Sequence, residues 1–256
     1  MTIQEYEKVE ALRVSEIVKY AVKDIDTIIK ESKQEKAMTE SILIGLATHS
    51  ILLRKDRSGI PDDIVVIDYE NYRTKEAQKQ KTEALENGLI PLLINQYDNI
   101  MRGLDFSRKE LDLFFNPSEC EFEKALFATD EFFGKIKGRL DCIQNNTSVN
   151  DLKVTTQTNM LDKKIFDFGY QLQMYIYMQL AGLTEANLVF YNPETYIVYV
   201  KKIDMHQIQD ECVSLLQRAK DNLNRFKIYE SGEMGVIDCG DYITPQWAYN
   251  YLMENV

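Results

Sequence analysis

The sequence predicts an α/β (α+β) protein: a mixed central sheet flanked by helices, with a helical N-terminal part. Three observations point there. Segments with apolar residues at three-to-four spacing alternate with short runs of strand-like pattern, the mixture that lays helices on a sheet. The 256 residues are 45% hydrophobic and 28% charged, enough for a sizeable core under a soluble surface. No internal repeat, low-complexity tract or linker divides the chain, so residues 1–256 are expected to form a single domain.

The elements follow in order. Residues 14–31 carry helical apolar spacing, with Ser15 as the expected N-cap. Thr39 can cap the next helix, TESILIGLATHSILL, which is apolar nearly all round and is therefore expected to be buried. Residues 64–67, IVVI, predict a short strand. Residues 70–87, rich in Lys, Glu, Gln and Ala, predict an exposed helix ending at Gly88. A further helix is expected over 92–104. From about 120 to 155 the pattern turns to strands: EFEKALFA, FFGKIKGRLDCI and VNDLKVTT. The polar linker QNNTSVN predicts an antiparallel hairpin between the last two. Helix returns over 163–181. The strands ANLVFY and TYIVYVKKI come next, split by the turn signal Asn192-Pro193-Glu194. A long amphipathic helix is expected over 205–228, and a terminal one starting from Thr244 as N-cap and Pro245 at the first helical position.

Charge and cysteine usage exclude some functions. A net charge of −11 argues against a general polyanion binder, whose affinity comes from neutralising phosphates. It does not exclude a nuclease, because a metal site needs its own acids and basic residues can gather on one face. Candidates for that face are Lys135, Lys137 and Arg139, Lys201 and Lys202, and Arg218, Lys220, Arg225 and Lys227. Cys120, Cys142, Cys212 and Cys239 are widely spaced with no CxxC pair, which reads as free thiols rather than an iron–sulfur cluster. No basic-then-apolar leader opens the chain and no apolar run is long enough to span a bilayer, so no membrane partner and a cytoplasmic location are expected.

Chemistry concentrates at Asp151-Leu152-Lys153. On a strand, residues two apart share a face, so Asp151 and Lys153 point together while Leu152 and Val154 point to the core. Asp141, just before the turn of the preceding strand, can come near Asp151. Two carboxylates that close raise each other's pKa unless a cation lies between them. Hard oxygen ligands of this kind suit Mg²⁺, with Mn²⁺ as an alternative. Lys153 then completes a hydrolytic logic by orienting the attacking water or stabilising charge on a phosphate. Taken alone, a D-x-K tripeptide is common and more often an ordinary hairpin with exposed charges.

The combined order of motifs is more specific. Gly138-Arg139-Leu140-Asp141, then Asp151-Leu152-Lys153 followed by Val154-Thr155-Thr156, then the helix YQLQMYIY resembles the PD-(D/E)XK nuclease superfamily. Within it, the sequence is similar to the phage-type RecE, or exodeoxyribonuclease VIII, group. Gln173 and Tyr177 match that group's Q-x-x-x-Y helix, with Gln171 and Tyr175 as a second register. Gly45 and His49 match a helix in which a glycine precedes a metal-binding histidine. Tyr72-Arg73-Thr74-Lys75 resembles its R-T-K-x-A helix. The likeness covers roughly residues 39–181.

The resemblance implies a restriction-endonuclease-like fold and assigns roles. Asp141, Asp151 and His49 would be metal ligands, and Lys153 the catalytic lysine. Gln173 would orient that lysine or the DNA backbone, with Tyr177 beside it. Glu121 is taken as the glutamate ligand, with Glu119 and Glu123 competing for that role. Arg73, Lys75 and Arg139 would contact DNA. By resemblance the activity is an exonuclease on linear double-stranded DNA ends, running 5′ to 3′ and leaving 3′ single strands for recombination. A ring-shaped homo-oligomer and a single-strand annealing protein as partner are implied in the same way. The sequence departs from the group in its acidity and in Val154, where threonine usually follows the lysine. Competing readings are a Cas4-like or endonuclease activity on the same fold, and a catalytically silent DNA-binding or assembly module.

Overall fold

The computed structural model describes residues 3–34 and 37–232. From the N-terminus the elements are α1 (Ile3–Lys8), β1 (Leu12–Arg13), α2 (Val14–Val22), α3 (Ile25–Ser32), α4 (Glu40–Leu52), β2 (Ile64–Ile67), α5 (Lys75–Glu86), β3 (Ile90–Leu93) and α6 (Ile94–Phe106). They continue with α7 (Arg108–Phe115), β4 (Cys120–Asp130), β5 (Gly134–Gln144), β6 (Ser148–Val154), α8 (Leu161–Asp167), α9 (Tyr170–Ala181), β7 (Glu185–Tyr191), β8 (Val198–Asp204) and α10 (Met205–Ser231). The predicted terminal helix from Thr244, and Cys239, lie outside the described residues.

β5 organises the sheet. β4 pairs antiparallel along one of its edges, from Cys120 opposite Gln144 to Asp130 opposite Gly134. The other edge is shared by two strands: β1 pairs parallel at Ile136 and Lys137, and β6 pairs antiparallel at Cys142, Ile143 and Gln144. Residues 138–141 are left without a strand partner on that edge. β6 then leaves β5 and runs parallel to β7 as far as Val154, and β7 pairs antiparallel with β8. The hairpin expected between β5 and β6 forms, with Asn145 and Asn146 turning through left-handed conformations at φ 50 and 55.

Both faces of this sheet are covered, giving the mixed α/β architecture that the pattern predicts. One face packs α2, α3, α9 and α10 around Leu140, Val149, Leu188 and Phe190. The other packs α4, α6 and α7 around Cys142, Leu152, Val189 and Tyr191, together with a small parallel pair, β2 and β3, bridged by α5. Central strands such as β7 are therefore apolar on both sides, which is why ANLVFY shows no alternation.

Several elements differ from their sequence expectations. The helix over 14–31 is two helices: Asp24 stops the first and caps the second, its carboxylate accepting from Thr27 N at 2.8 Å. Ser15 is inside the first helix. Its N-cap position is Arg13, whose backbone N–H donates to Glu16 Oε2 at 2.8 Å. The helix over 70–87 begins only at Lys75, with Thr74 capping Ala77 N at 3.2 Å. Residues 92 and 93, expected to open the helix over 92–104, instead end β3, where they pair with Val66 and Ile67, and the helix begins at Ile94. The helix over 163–181 breaks at Gly169, which has φ +67. Lys137, grouped above with surface basic residues, is buried. Its ammonium donates to the carbonyls of Tyr6, Glu7 and Val9 at 3.0, 3.3 and 2.8 Å and so pins the end of α1 to β5.

Candidate active site

Asp141 stands where β5 and β6 part. The ladder between them ends at Cys142 opposite Asn150, so Asp141 and Asp151 would be the next pair, but they are not bonded to each other as strand residues. Instead the Asp141 carboxylate bridges the fork, Oδ2 accepting from Leu152 N at 2.8 Å. The same oxygen lies 3.5 Å from His49 Nδ1. His49 reaches it from α4, which packs on one face of the sheet, with Thr48 and Ala47 buried behind it.

Asp151 and Lys153 point to the opposite face, toward α9, as strand alternation requires. Both faces of β6 are covered, so Asp151 is only 2% exposed. Its Oδ2 lies 2.6 Å from Lys153 Nζ. Apart from that ion pair it accepts no hydrogen bond. Lys153 Nζ also donates to Gln173 Oε1 at 3.0 Å, and Gln173 Nε2 donates to the Tyr177 hydroxyl at 3.2 Å. Gln173 and Tyr177 are one turn apart on α9, so the i, i+4 spacing makes this relay. The other register is directed elsewhere: Gln171 is buried and donates to Glu211 of α10 at 3.2 Å. Gly138 lets α9 approach, since a Cβ there would sit 2.9 Å from Tyr177 Cε1.

The glutamate nearest the site is Glu123, not Glu121. Glu121 faces outward and pairs with Lys124 at 2.6 Å, which lowers its pKa. Glu123 is directly across β4–β5 from Asp141, in a left-handed conformation at φ 52 that interrupts the ladder and turns its carboxylate inward. There it meets Arg139 Nε at 2.5 Å. No signal in the sequence separates the two glutamates, because the kink shifts the alternation on which a face assignment depends. Glu119 is remote, bonded to Gln144 Nε2 at 2.9 Å.

Electrostatics mark this as a crowded acidic centre. Burial, then the nearby Asp141 charge, push Glu123 up to about 7, against the pull of Arg139. Burial is also the main reason Asp151 is raised to about 6. Lys153 opposes that rise and Asp141 adds to it. Burial pulls the Lys153 ammonium down, but the Asp151 and Asp141 carboxylates outweigh it and hold its pKa above the ordinary value. Tyr177 is raised by burial and stays a neutral phenol.

His49, Glu123, Arg139, Lys153, Tyr170 and Arg54, among others, line a cleft of about 1050 Å³, while Asp141 and Asp151 are not among its lining residues. Ile42 and Leu46 of α4 also line it and are 44% and 42% exposed, so this helix is not buried all round as its composition suggests. Arg54 and Tyr170 were not singled out by the sequence. Arg73 and Lys75 are exposed at the start of α5 and are not among the cleft-lining residues.

The donor chemistry fits a divalent cation. Asp141, Asp151 and Glu123 offer hard oxygens, His49 an imidazole, and the Asp151 Oδ2 is a buried acceptor without a hydrogen bond. Among the described residues, however, no three such side chains already close on one point. The carboxylates of Asp151, Glu123 and Asp141 are engaged by Lys153, Arg139 and Leu152 N respectively.

Neither a family model nor a curated protein matches the sequence. Among solved structures, the chain is similar to a Eubacterium rectale protein provisionally described as an exonuclease. The likeness spans 100% of this chain and 99% of that one, with a TM-score of 0.59 at 13% identity. That likeness establishes the shared fold. A phage-related exonuclease from Haemophilus somnus matches at a TM-score of 0.38 and 14% identity, over 86% and 96% of the two chains. An alkaline exonuclease from Laribacter hongkongensis matches at 0.30 and 14%, over 63% and 89%.

Proposed function

We propose that this chain is a metal-dependent nuclease of the PD-(D/E)XK kind, acting on DNA. One observation carries the reading: Asp141 and Asp151 flank one strand fork, Asp141 bonded across it to Leu152 N, with Lys153 held by Asp151 and Gln173 at the edge of an open cleft. Ordinary exposed hairpin charges would not include a carboxylate that is 2% exposed and raised in pKa by burial, as Asp151 is, beside a lysine braced from α9.

Mg²⁺ or Mn²⁺ would be held by Asp141, Asp151 and His49, with Glu123 as the further acidic group, and would supply Lewis-acid polarisation of a phosphate and an activated water. The protein's own groups do the rest. Lys153 presents a fixed positive charge where negative charge grows on the phosphate, and Asp151 and Gln173 hold its ammonium in place. Asp141 is anchored by Leu152 N and lies 3.5 Å from His49. Arg139, paired with Glu123 in the cleft lining, would contact a strand backbone.

The resemblance to the RecE-like group extends the proposal to an exonuclease on linear duplex ends, 5′ to 3′, with 3′ single strands as product. It extends it equally to a ring-shaped oligomer, a single-strand annealing partner and a cytoplasmic setting. No helix among the described residues is long and apolar enough to cross a membrane. A catalytically silent module on the same fold is favoured only by the absence of a closed three-donor group. Timed digestion of linear duplex, labelled at 5′ or 3′ ends in parallel with Mg²⁺, tests the whole. Mg²⁺-dependent loss of label, abolished in Asp141→Asn, supports the reading. Equal activity in wild type and Asp141→Asn overturns it. Covalently closed circular DNA separates an exonuclease from an endonuclease, because only the first needs an end.

A further inference from the structure

We propose that Phe168 is a nucleobase-stacking residue, held on the ring of Tyr170 so that a base is gripped just outside the cleft that Lys153 and Tyr170 line. The inference rests on the nuclease reading and adds to it the means of gripping the strand.

Four observations converge. The Lys153 ammonium lies over the Tyr170 ring, 4.5 Å from its centroid, and Tyr170 lines the cleft. Phe168 stacks on Tyr170, with centroids 5.6 Å apart and planes at 28°. Tyr170 is itself braced by Phe190 of β7 at 6.3 Å. Phe168 nevertheless remains 55% exposed, whereas Phe190 is 1% exposed. Tyr170 thus touches both Lys153 and Phe168, and Phe168, outside the cleft lining itself, is the ring left in water.

Gly169 builds this arrangement. Its left-handed φ of +67 reverses the chain between the two rings, and a Cβ there would meet Val22 Cγ1 at 2.7 Å and Val18 Cγ1 at 2.8 Å. The segment is therefore seated against α2, and the ring pair stands on a packed support.

Charge explains why a flat apolar partner is needed. The chain carries −11, and the cleft mixes Arg54, Arg139 and Lys153 with Asp62, Asp63 and Glu123. Neutralising phosphates can supply little net affinity here. Stacking of a base on an aromatic face does not depend on charge or on base identity, which suits an enzyme that must accept any sequence.

The test uses the full chain with Mg²⁺ and linear duplex, intact or carrying an abasic site at successive positions from the end. Phe168→Ala is expected to raise KM by about ten- to a hundredfold. It should leave kcat, thermal midpoint and salt dependence close to wild type, with Phe168→Trp restoring KM. An abasic site at the stacked position should impair wild type and add nothing to the Phe168→Ala defect. If wild type cleaves and Phe168→Ala matches it on intact DNA, the stack is wrong and the nuclease reading stands. If wild type neither binds nor cleaves DNA, both fall. If Phe168→Ala changes the oligomeric state, the ring belongs to an interface between copies and the proposal is overturned.

Discussion

The carboxylate of Asp141 accepts a hydrogen bond from the backbone N–H of Leu152 at 2.8 Å. That single contact replaces the strand pairing that β5 and β6 give up at this point. It satisfies a backbone donor that the fork would otherwise strand. Asp141→Ala is therefore expected to do two things at once. It should abolish Mg²⁺-dependent cleavage, and it should cost about 1–3 kcal/mol of stability through the unsatisfied N–H. Asp141→Asn, which keeps an acceptor, should lose the cleavage and retain most of the stability. Denaturant melts beside digestion assays check this.

Lys153 is the counter-ion of a carboxylate that is 2% exposed. Removing it by Lys153→Ala leaves Asp151 buried without its cation, at a cost of about 3–5 kcal/mol. The paired change Asp151→Asn with Lys153→Met should recover most of that stability and none of the activity. A double-mutant cycle on urea midpoints reads the coupling; additive losses would mean that the pair is not a unit.

Gln173 touches Lys153 through its oxygen and Tyr177 through its nitrogen, so it is a positioning residue. Gln173→Ala is expected to lower kcat about a hundredfold with little change in KM, because misplacing a fixed charge weakens only its late interaction with the phosphate. Tyr177→Phe should have a smaller effect in the same direction. Steady-state kinetics on one labelled duplex distinguishes them.

Glu123 and Glu121 are two residues apart and face opposite surroundings. Glu123→Gln is expected to lower activity and metal affinity, while Glu121→Gln leaves both unchanged. Calorimetric titration with Mn²⁺ alone, alongside digestion, decides between them.

Raised carboxyl pKa values make the metal-free protein sensitive to pH. Asp151 at about 6 and Glu123 at about 7 both bind protons more tightly in the folded chain than unfolded carboxyls near 3.9 and 4.3 do. Their contribution to stability is thus fully present below about pH 4 and is lost as pH rises through 6 to 7. In EDTA the thermal midpoint should fall between pH 5 and 8. Added Mn²⁺ should recover more at pH 8 than at pH 5, since protons and metal compete for the same oxygens. An equal gain at both values would show that the metal does not bind these carboxylates.

Much of the site was legible because its residues sit at fixed local spacings. Asp151 and Lys153 are two apart on a strand, and Gln173 and Tyr177 four apart on a helix, so their sharing a face follows from backbone geometry. The helix of His49 was recognisable by its Thr39 cap. What escaped was anything set by a break in regularity. The left-handed turns at Glu123 and Gly169 changed which way neighbouring side chains point, and so hid the inward glutamate and the Phe168–Tyr170 stack. Lys137 escaped for another reason: its three carbonyl partners belong to residues 6–9, and no local pattern links them to it.

By itself, then, the sequence determined the layered α/β fold and the shared faces of Asp151 with Lys153 and of Gln173 with Tyr177, since these follow from periodicity and from residues a turn or a pleat apart; Asp141 and His49 were named by resemblance to a family. Only the tertiary structure decided how that centre is held. The fork between β5 and β6, the approach of α4 from one face and α9 from the other, and the choice of Glu123 over Glu121 all depend on long-range packing. These contacts join different elements, His49 and Asp141 being 92 residues apart in sequence, and nothing in the local chemistry of either segment encodes the distance at which they meet.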